Sequence, residues 1–310
     1  MTEAAMLILA VWLDWTIGEP PRFLHPVVGM GKVAAALEVL APRGGRAAPF
    51  LYGALATVLI MVLFAASTYI LLYWLRPWNT AIYIVAGALI LNSTFSLKGL
   101  LAEALQIGGK LRRGELEEAR QGLPALVSRD TAGMSTTMVA SAAIESVAEN
   151  AADSFVSPLL FFLLLGVPGA MAYRVVNTLD AMWGYRGRYE YMGKSTARLD
   201  DLLNLVPARI SALLLAIAAP LSGGSARGAL RVLRRDRALT ASPNAGWPMA
   251  AVAGALRVRL EKPGQYVLGD NHNPLSPDTV FKAVGLVRTT AILWLLLSVA
   301  VIGVSLVFGS

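Results

Sequence analysis

Cysteine is absent from this chain, which excludes disulfides, thiolate nucleophiles and cysteine-based metal sites. Histidine occurs only twice, at His25 and His272. Two imidazoles so far apart in sequence make a weak metal signature. Neither G-x-x-x-x-G-K-[ST] nor G-x-G-x-x-G is present, so a nucleotide, if it binds, does so without a familiar glycine-rich cradle. Charge is scarce as well: 15% of the 310 residues are Asp, Glu, Lys or Arg, against roughly 25% in an ordinary soluble protein. No internal repeat or low-complexity linker divides the chain, so residues 1–310 read as a single domain.

What is present is apolar. Hydrophobic residues make up 56% of the chain, and uncharged runs extend over Phe50–Leu75, Pro77–Leu97, Ser154–Tyr173 and Thr289–Ser310. Each approaches the roughly 20 residues that cross a bilayer as a helix. Ile210–Ala226 is a shorter fifth run, interrupted near its end by Pro220 and Gly223-Gly224. The first eighteen residues contain Asp14 and lack both a basic start and a small-residue cleavage site, so they read as a retained helix. The predicted fold is all-α: a multi-pass integral membrane protein with about five or more membrane segments and polar loops at one side.

The net charge of +7 is unevenly spread. Gly223–Arg288 holds ten Lys or Arg against four Asp or Glu, a net of +6. Its densest part, Arg231–Arg237, reads R-V-L-R-R-D-R. Positive-inside bias puts this loop on the cytoplasmic side, as a topology signal, a contact with anionic lipid or an anion site. The short Trp74–Asn79 link forces the second and third apolar runs into a hairpin, which returns Lys98 to the side of the basic Arg43–Arg46 turn. Simple alternation then places the charged stretch Tyr173–Arg209 outside, so either Ser154–Tyr173 is re-entrant or another segment also crosses.

The most informative segment is A-A-I-E-S-V-A-E-N-A-A-D, Ala142–Asp153. Glu145, Glu149 and Asp153 recur every fourth residue. On a helix they drift by about 40° per step and stack along one face over roughly 12 Å. No Lys or Arg lies between Arg129 and Arg174 to relieve their repulsion. A cation must come from elsewhere: a distant arginine, a divalent metal or a substrate amine.

Polar islands sit at the ends of the apolar runs. In G-E-P-P-R-F-L-H-P-V, three prolines fix an extended turn from which Glu19, Arg22 and His25 project. It suits a binding loop or a plain membrane-exit turn. In V-S-R-D-T, Asp130 or Thr131 can cap a following helix; capping has no use for Arg129, which can meet a carboxylate or phosphate. Arg174, Asn177 and Asp180 recur at steps of three, and Asp200 and Asp201 repeat the theme with Asn204 and Arg209. Interhelical salt bridges would use such residues, but charges at a membrane edge are costly and commonly functional. In S-P-N-A-G-W-P, Ser242–Pro248, backbone N–H groups and Asn244 can face a ligand, or the segment is a simple turn.

Taken together and in order, G-E-P-P with H-P-V, S-R-D-T, I-E-S-V-A-E-N, Y-R-V-V-N-T-L-D-A-M, R-L-D-D-L-L-N-L-V-P-A-R and S-P-N-A-G-W-P resemble the adenosylcobinamide-phosphate synthase family of cobalamin biosynthesis. The resemblance runs from Gly18 to about Leu268. It departs at Glu19, where the family more often has Asp, and at Met249, where an acid often follows W-P; an essential carboxylate just after Pro248 is therefore not expected.

The resemblance implies a multi-pass ligase that uses ATP and Mg2+ to join adenosylcobyric acid, the corrinoid substrate, to aminopropanol phosphate, free aminopropanol or an ethanolamine phosphate equivalent. Amide formation in water is uphill, and an acyl phosphate is the expected route. On that implication Glu145, Glu149 or Asp153 would hold Mg2+. Arg129, Arg174, Arg186 and Arg198 would clamp phosphates, with His25 a further binding candidate. Asp180 or Asp200 would take the ammonium proton, Asn177 or Asn244 would hold the oxyanion, and Glu145 and Glu149 would act within the catalytic centre. The flat faces of Trp183 and Trp247 can meet the corrinoid or serve as interfacial anchors. The expected setting is the cell membrane with the active site on the cytoplasmic side. Membrane lipid and other cobalamin-biosynthesis enzymes complete the expected partners, and nucleic acid is not among them. Without the resemblance, intramembrane acids beside broken helices also fit a transporter, and a non-catalytic scaffold for corrinoid enzymes is a third reading.

Overall fold

Long apolar runs leave the backbone no partner but itself in a bilayer, and the chain answers with helices. The computed structural model describes residues 1–21, 23, 25–42, 44–184 and 189–308. In chain order the helices are α1 (Thr2–Thr16), α2 (Pro26–Val39), α3 (Ala47–Leu75), α4 (Thr80–Asn92), α5 (Leu97–Arg112), α6 (Leu116–Gly122), α7 (Thr136–Ala151), α8 (Ser157–Trp183), α9 (Lys194–Leu203), α10 (Leu205–Leu221), α11 (Ala226–Asp236), α12 (Gly246–Leu256) and α13 (Pro277–Phe308). A hairpin of β1 (Arg259–Lys262) and β2 (Tyr266–Gly269) is the one sheet among the described residues.

Among the described residues, four helical stretches are long and apolar enough to cross a membrane: Ala47–Leu75, Thr80–Arg112, Thr136–Trp183 and Pro277–Ser305. Lys194–Leu203 with Leu205–Leu221 makes a fifth if that bent pair counts as one span. The chain is thus an all-α, multi-pass membrane protein, as its composition predicts. The run expected to be re-entrant or accompanied by a further crossing is itself broken. A π-helical turn, Ala152–Val156, separates α7 from α8, and Gly166 leaves helical geometry at φ 69° two residues before Pro168. The fifth run, by contrast, carries its helix through Pro220 and stops at Leu221.

The chain forms two compact units. The first comprises Met1–Ser96, Ser157–Asn204 and Ser298–Ser310. There α3 lies along α8, with Met30, Ile60, Met171, Val175, Leu179 and Trp183 in the core between them and α2. Small residues set the spacing: a Cβ at Gly53 would run into the Met192 carbonyl. One turn on, the Thr57 and Thr196 hydroxyls share a 2.7 Å hydrogen bond.

The second unit comprises Leu97–Val156 and Leu205–Leu297. Here α11 packs on α12 through Gly228 and Gly254, whose backbones approach so closely that a Cβ on either would strike the other's carbonyl. The hairpin pairs Leu260 with Leu268 and Lys262 with Tyr266. These four residues alternate onto one face, and both leucines are fully buried. The turn closes with a hydrogen bond from Gln265 N–H to the Lys262 carbonyl (2.9 Å), and Gly264 supplies the required positive φ of 72°. That face turns to α7, against which β1 packs.

Candidate functional site

In the second unit a cavity of about 140 Å³ opens beside the acidic helix, lined by Ser128, Arg129, Glu145, Ser146, Glu149, Asn150, Lys262 and Tyr266 among others. Helix α7 begins at Thr136, capped by Ser135, whose Oγ accepts from Met138 N–H (3.3 Å). Capping by Asp130 or Thr131, as expected from sequence, does not occur. Asp130 instead closes its own turn onto Ala132 N–H (3.0 Å), and the Thr131 hydroxyl donates to the Arg120 carbonyl (3.0 Å). The intervening residues free Arg129 to reach back to the helix.

Glu145 is 4% exposed and fully engaged. Its Oε1 accepts from Ser141 Oγ (2.6 Å). Its Oε2 accepts from Arg129 Nη2 (3.2 Å) and from the Tyr266 hydroxyl (2.9 Å). A distant arginine is therefore one cation that relieves the stripe. Burial raises the Tyr266 pKa, reinforced by the charge and hydrogen bond of Glu145, so the phenol stays protonated and donating. Glu149 differs. It lines the same cavity, half-buried, with Lys262 nearby, and none of the described residues donates a hydrogen bond to it. Asp153 falls on the π-helical turn and is not among the lining residues; the four-residue period that predicts a shared face holds only while the helix stays α. Asn150 points its amide back to the Ser146 carbonyl (2.9 Å).

Among the described residues no group of three or more His, Asp or Glu side chains is placed to hold a metal ion. Mg2+, however, commonly takes one or two carboxylates and completes its shell with water and substrate phosphates. The undonated oxygens of Glu149, with Lys262 and Arg129 at hand for anions, fit a magnesium ion that arrives with a polyphosphate. Lys262 and Tyr266 were missed in the sequence reading. Their signal is the P-G turn between two short alternating runs, which places them opposite each other.

The first unit holds a separate polar chain. Arg174 Nη1 donates to Asn177 Oδ1 (3.4 Å), and Asn177 Nδ2 donates to Asp200 Oδ1 (3.5 Å). Asn204 Nδ2 donates to Asp200 Oδ2 (2.9 Å). Asn204 Oδ1 accepts from Ser157 Oγ (2.7 Å) and the Tyr173 hydroxyl (2.9 Å). Arg174 Nε is buried without a hydrogen-bond partner among the described residues. Asp180 lies on α8 one turn beyond Asn177, half-buried. Arg198 on α9 is exposed. His25 caps α2: its Nδ1 accepts from Val27 N–H (3.2 Å), and Nε2 lies 3.6 Å from Glu19. Burial lowers the His25 pKa; Glu19 opposes the shift and Arg174 adds to it. Arg22 and Arg186 lie outside the described residues.

Asn244, in the second unit, is buried and accepts from Arg209 Nη1 (3.2 Å). Arg209 thus serves this loop, with its guanidinium carbon 4.4 Å from the centre of the Trp247 ring. Met249, where the family pattern often has an acid, is buried with its sulfur 3.8 Å from the Tyr266 hydroxyl. Trp183 is fully buried in the first unit's core.

A family model described as "CobD/Cbib protein" matches residues 7–296. A protein of Dehalococcoides mccartyi named "Cobalamin biosynthesis protein CobD" is 46% identical over 96% of both chains. A "Probable cobalamin biosynthesis protein CobD" of Methanothermobacter thermautotrophicus is 44% identical over 97% of this chain and 98% of its own. The Clostridium acetobutylicum protein of the former name is 32% identical over 96% of this chain and 97% of its own. No solved structure matches the chain. With a family match across nearly all its length and relatives aligned end to end, the chain belongs to the CobD/Cbib protein family.

Proposed function

We propose that this protein acts in cobalamin biosynthesis as an ATP-dependent acid–amine ligase, joining adenosylcobyric acid to (R)-1-aminopropan-2-ol O-phosphate, or a close amino-alcohol equivalent, to give adenosylcobinamide phosphate. The observation that carries this reading is the cavity on α7, where Arg129, Lys262 and the undonated carboxylate of Glu149 converge.

The reaction divides into two steps. A carboxylate oxygen of the corrinoid attacks the γ-phosphorus, and the bond from that phosphorus to ADP breaks. The amine nitrogen then bonds to the acyl carbon, phosphate leaves, and the ammonium proton passes to a protein carboxylate. Mg2+, when bound, would supply charge neutralisation at the transferred phosphoryl group. Glu149 would supply oxygen ligands for it, while Lys262 and Arg129 would hold phosphate oxygens. Glu145 keeps Arg129 in place and is too occupied to do more. In the first unit, taken by itself, the Asn177 and Asn204 amides orient Asp200, and Arg174 keeps a donor to spare at Nε. The cytoplasmic side is assigned to the catalytic face because the basic Arg231–Arg237 segment belongs there by the positive-inside rule.

The test is purified protein in nanodiscs with ATP, Mg2+, adenosylcobyric acid and aminopropanol phosphate, following corrinoid mass. Wild type should yield the amide only with ATP, and Glu149→Gln should lose at least about 100-fold in turnover, the scale of removing a metal- or phosphate-holding group. Absence of product with every amino alcohol tried, from folded protein that still binds corrinoid, would overturn the ligase reading in favour of transport or scaffolding.

A further inference from the structure

Helix α11 shows a second feature that the ligase chemistry does not use. Its inward residues, Gly228, Ala229, Val232 and Leu233, are buried against α12. Its outward face carries Arg227, Arg231, Arg234 and Arg235 around Leu230, and these five residues line an open hollow of about 540 Å³. Arg235 is paired with Asp236 (2.6 Å) and Asp270 (2.7 Å), and Arg231 lies 4.0 Å from Asp270. Arg227 and Arg234 meet no carboxylate among the described residues. The face therefore keeps a net positive charge that the second unit does not neutralise.

The position of this face along the membrane normal follows from its neighbours. Only Ser222–Ser225 separate α11 from the apolar helix α10, and four residues span at most about 14 Å. The Ser222 hydroxyl donates to Thr289 Oγ1 (2.9 Å), and Thr289 is where the uncharged run of α13 begins, directly after Arg288. The start of α11 is thus pinned to the level at which a membrane-crossing helix passes from charged to apolar sequence.

We propose that the outward face of α11 is a binding site for anionic phospholipid headgroups, with the arginines on the phosphate oxygens and Leu230 against the glycerol esters. The membrane level selects a lipid over a free phosphate, as does the central leucine, 37% exposed, from which an inorganic anion gains nothing. Arginine suits the role because its planar fork engages two phosphate oxygens at once. Leu230 is the only apolar lining residue among those described, so the helix engages headgroups and does not insert as an amphipathic anchor would.

The experiment is native mass spectrometry of delipidated full-length protein titrated with dioleoyl phosphatidylglycerol or phosphatidylcholine, for wild type, Arg227→Gln/Arg234→Gln and the charge-matched control Arg76→Gln/Lys194→Gln. Both altered arginines are exposed and unpaired with acids, so folding is preserved and is checked by the melt. Phosphatidylglycerol should be retained by wild type and control, and its affinity should fall roughly 30-fold in the α11 variant, about fivefold per charge. Equal loss in both variants, or no loss in the α11 variant, would overturn the proposal. Displacement of phosphatidylglycerol by millimolar inorganic phosphate would also overturn it, since the face would then be a free-anion site.

Discussion

Glu145 and Glu149 are one helical turn apart, yet their surroundings give them opposite work. Glu145 accepts three hydrogen bonds in a buried setting, so an amide in its place would turn a donor toward donors. Glu145→Gln should lower stability by about 2–4 kcal/mol as well as turnover, whereas Glu149→Gln should leave the thermal midpoint in detergent nearly unchanged. Tyr266→Phe removes only the hydroxyl and should cost about 1.5–3 kcal/mol, the worth of a hydrogen bond to a charged acceptor. A midpoint for Tyr266→Phe equal to wild type would mean that the hairpin does not hold Glu145. Asp236 offers a pH readout. Burial resists its ionisation, but the Arg235 hydrogen bond and the Gly269 N–H (2.7 Å) outweigh that, and its pKa is lowered. A lowered carboxylate pKa stabilises fully above the unfolded value of about 3.8, and that contribution disappears as pH falls through the folded value. The melting gap between wild type and Asp236→Asn should hold from pH 8 to about pH 5 and begin to narrow below about pH 4; a gap that widens as the pH falls from about 5 to about 3 would contradict this.

At the scale of elements, the α11–α12 contact depends on glycine for proximity, and α13 contains a glycine that does not. A Cβ at Gly228 would meet the Gly254 carbonyl, while at Gly285 it would meet nothing within 4 Å. The same substitution should therefore act with opposite signs. Gly228→Ala should cost about 1–3 kcal/mol as overpacking, and Gly285→Ala should stabilise by up to about 1 kcal/mol through helix propensity; matching midpoints would refute the close packing. The long spans could be read directly from sequence, because a run such as Phe50–Leu75 offers only one way to satisfy its backbone. The acidic stripe could be read as far as Glu149, where α-helical period holds. Its counter-residue could not: Tyr266 sits on a four-residue strand and bonds a partner 121 positions away, and no local period carries such a pairing. The start of α7 was misplaced for a related reason. Asp130, Thr131 and Ser135 are all competent caps, and only the fold decides which side chains are spent on turns.

For the molecule as a whole, the bilayer is the missing solvent. Helix α3 leaves Leu55, Leu59, Tyr69, Leu71 and Tyr73 about half-exposed or more, a surface that water would penalise and acyl chains accept. The ends of that surface should mark the interface. Trp74 and Trp78, 65% and 75% exposed, flank the turn between α3 and α4, and indoles favour headgroup depth, where the ring is half-solvated and its N–H finds a partner. In vesicles of brominated phosphatidylcholine, quenching of tryptophan fluorescence should include a component that is stronger for bromines near the ester groups than for bromines near the chain ends. Trp74→Phe/Trp78→Phe should reduce that shallow component by the share of these two indoles, since the exposed Trp12 and Trp15 are unchanged and the buried Trp183 and Trp294 are shielded by protein at any depth. If the double variant instead lost quenching from the deepest bromines, the α3–α4 turn would lie within the hydrocarbon and the two helices could not both be complete crossings.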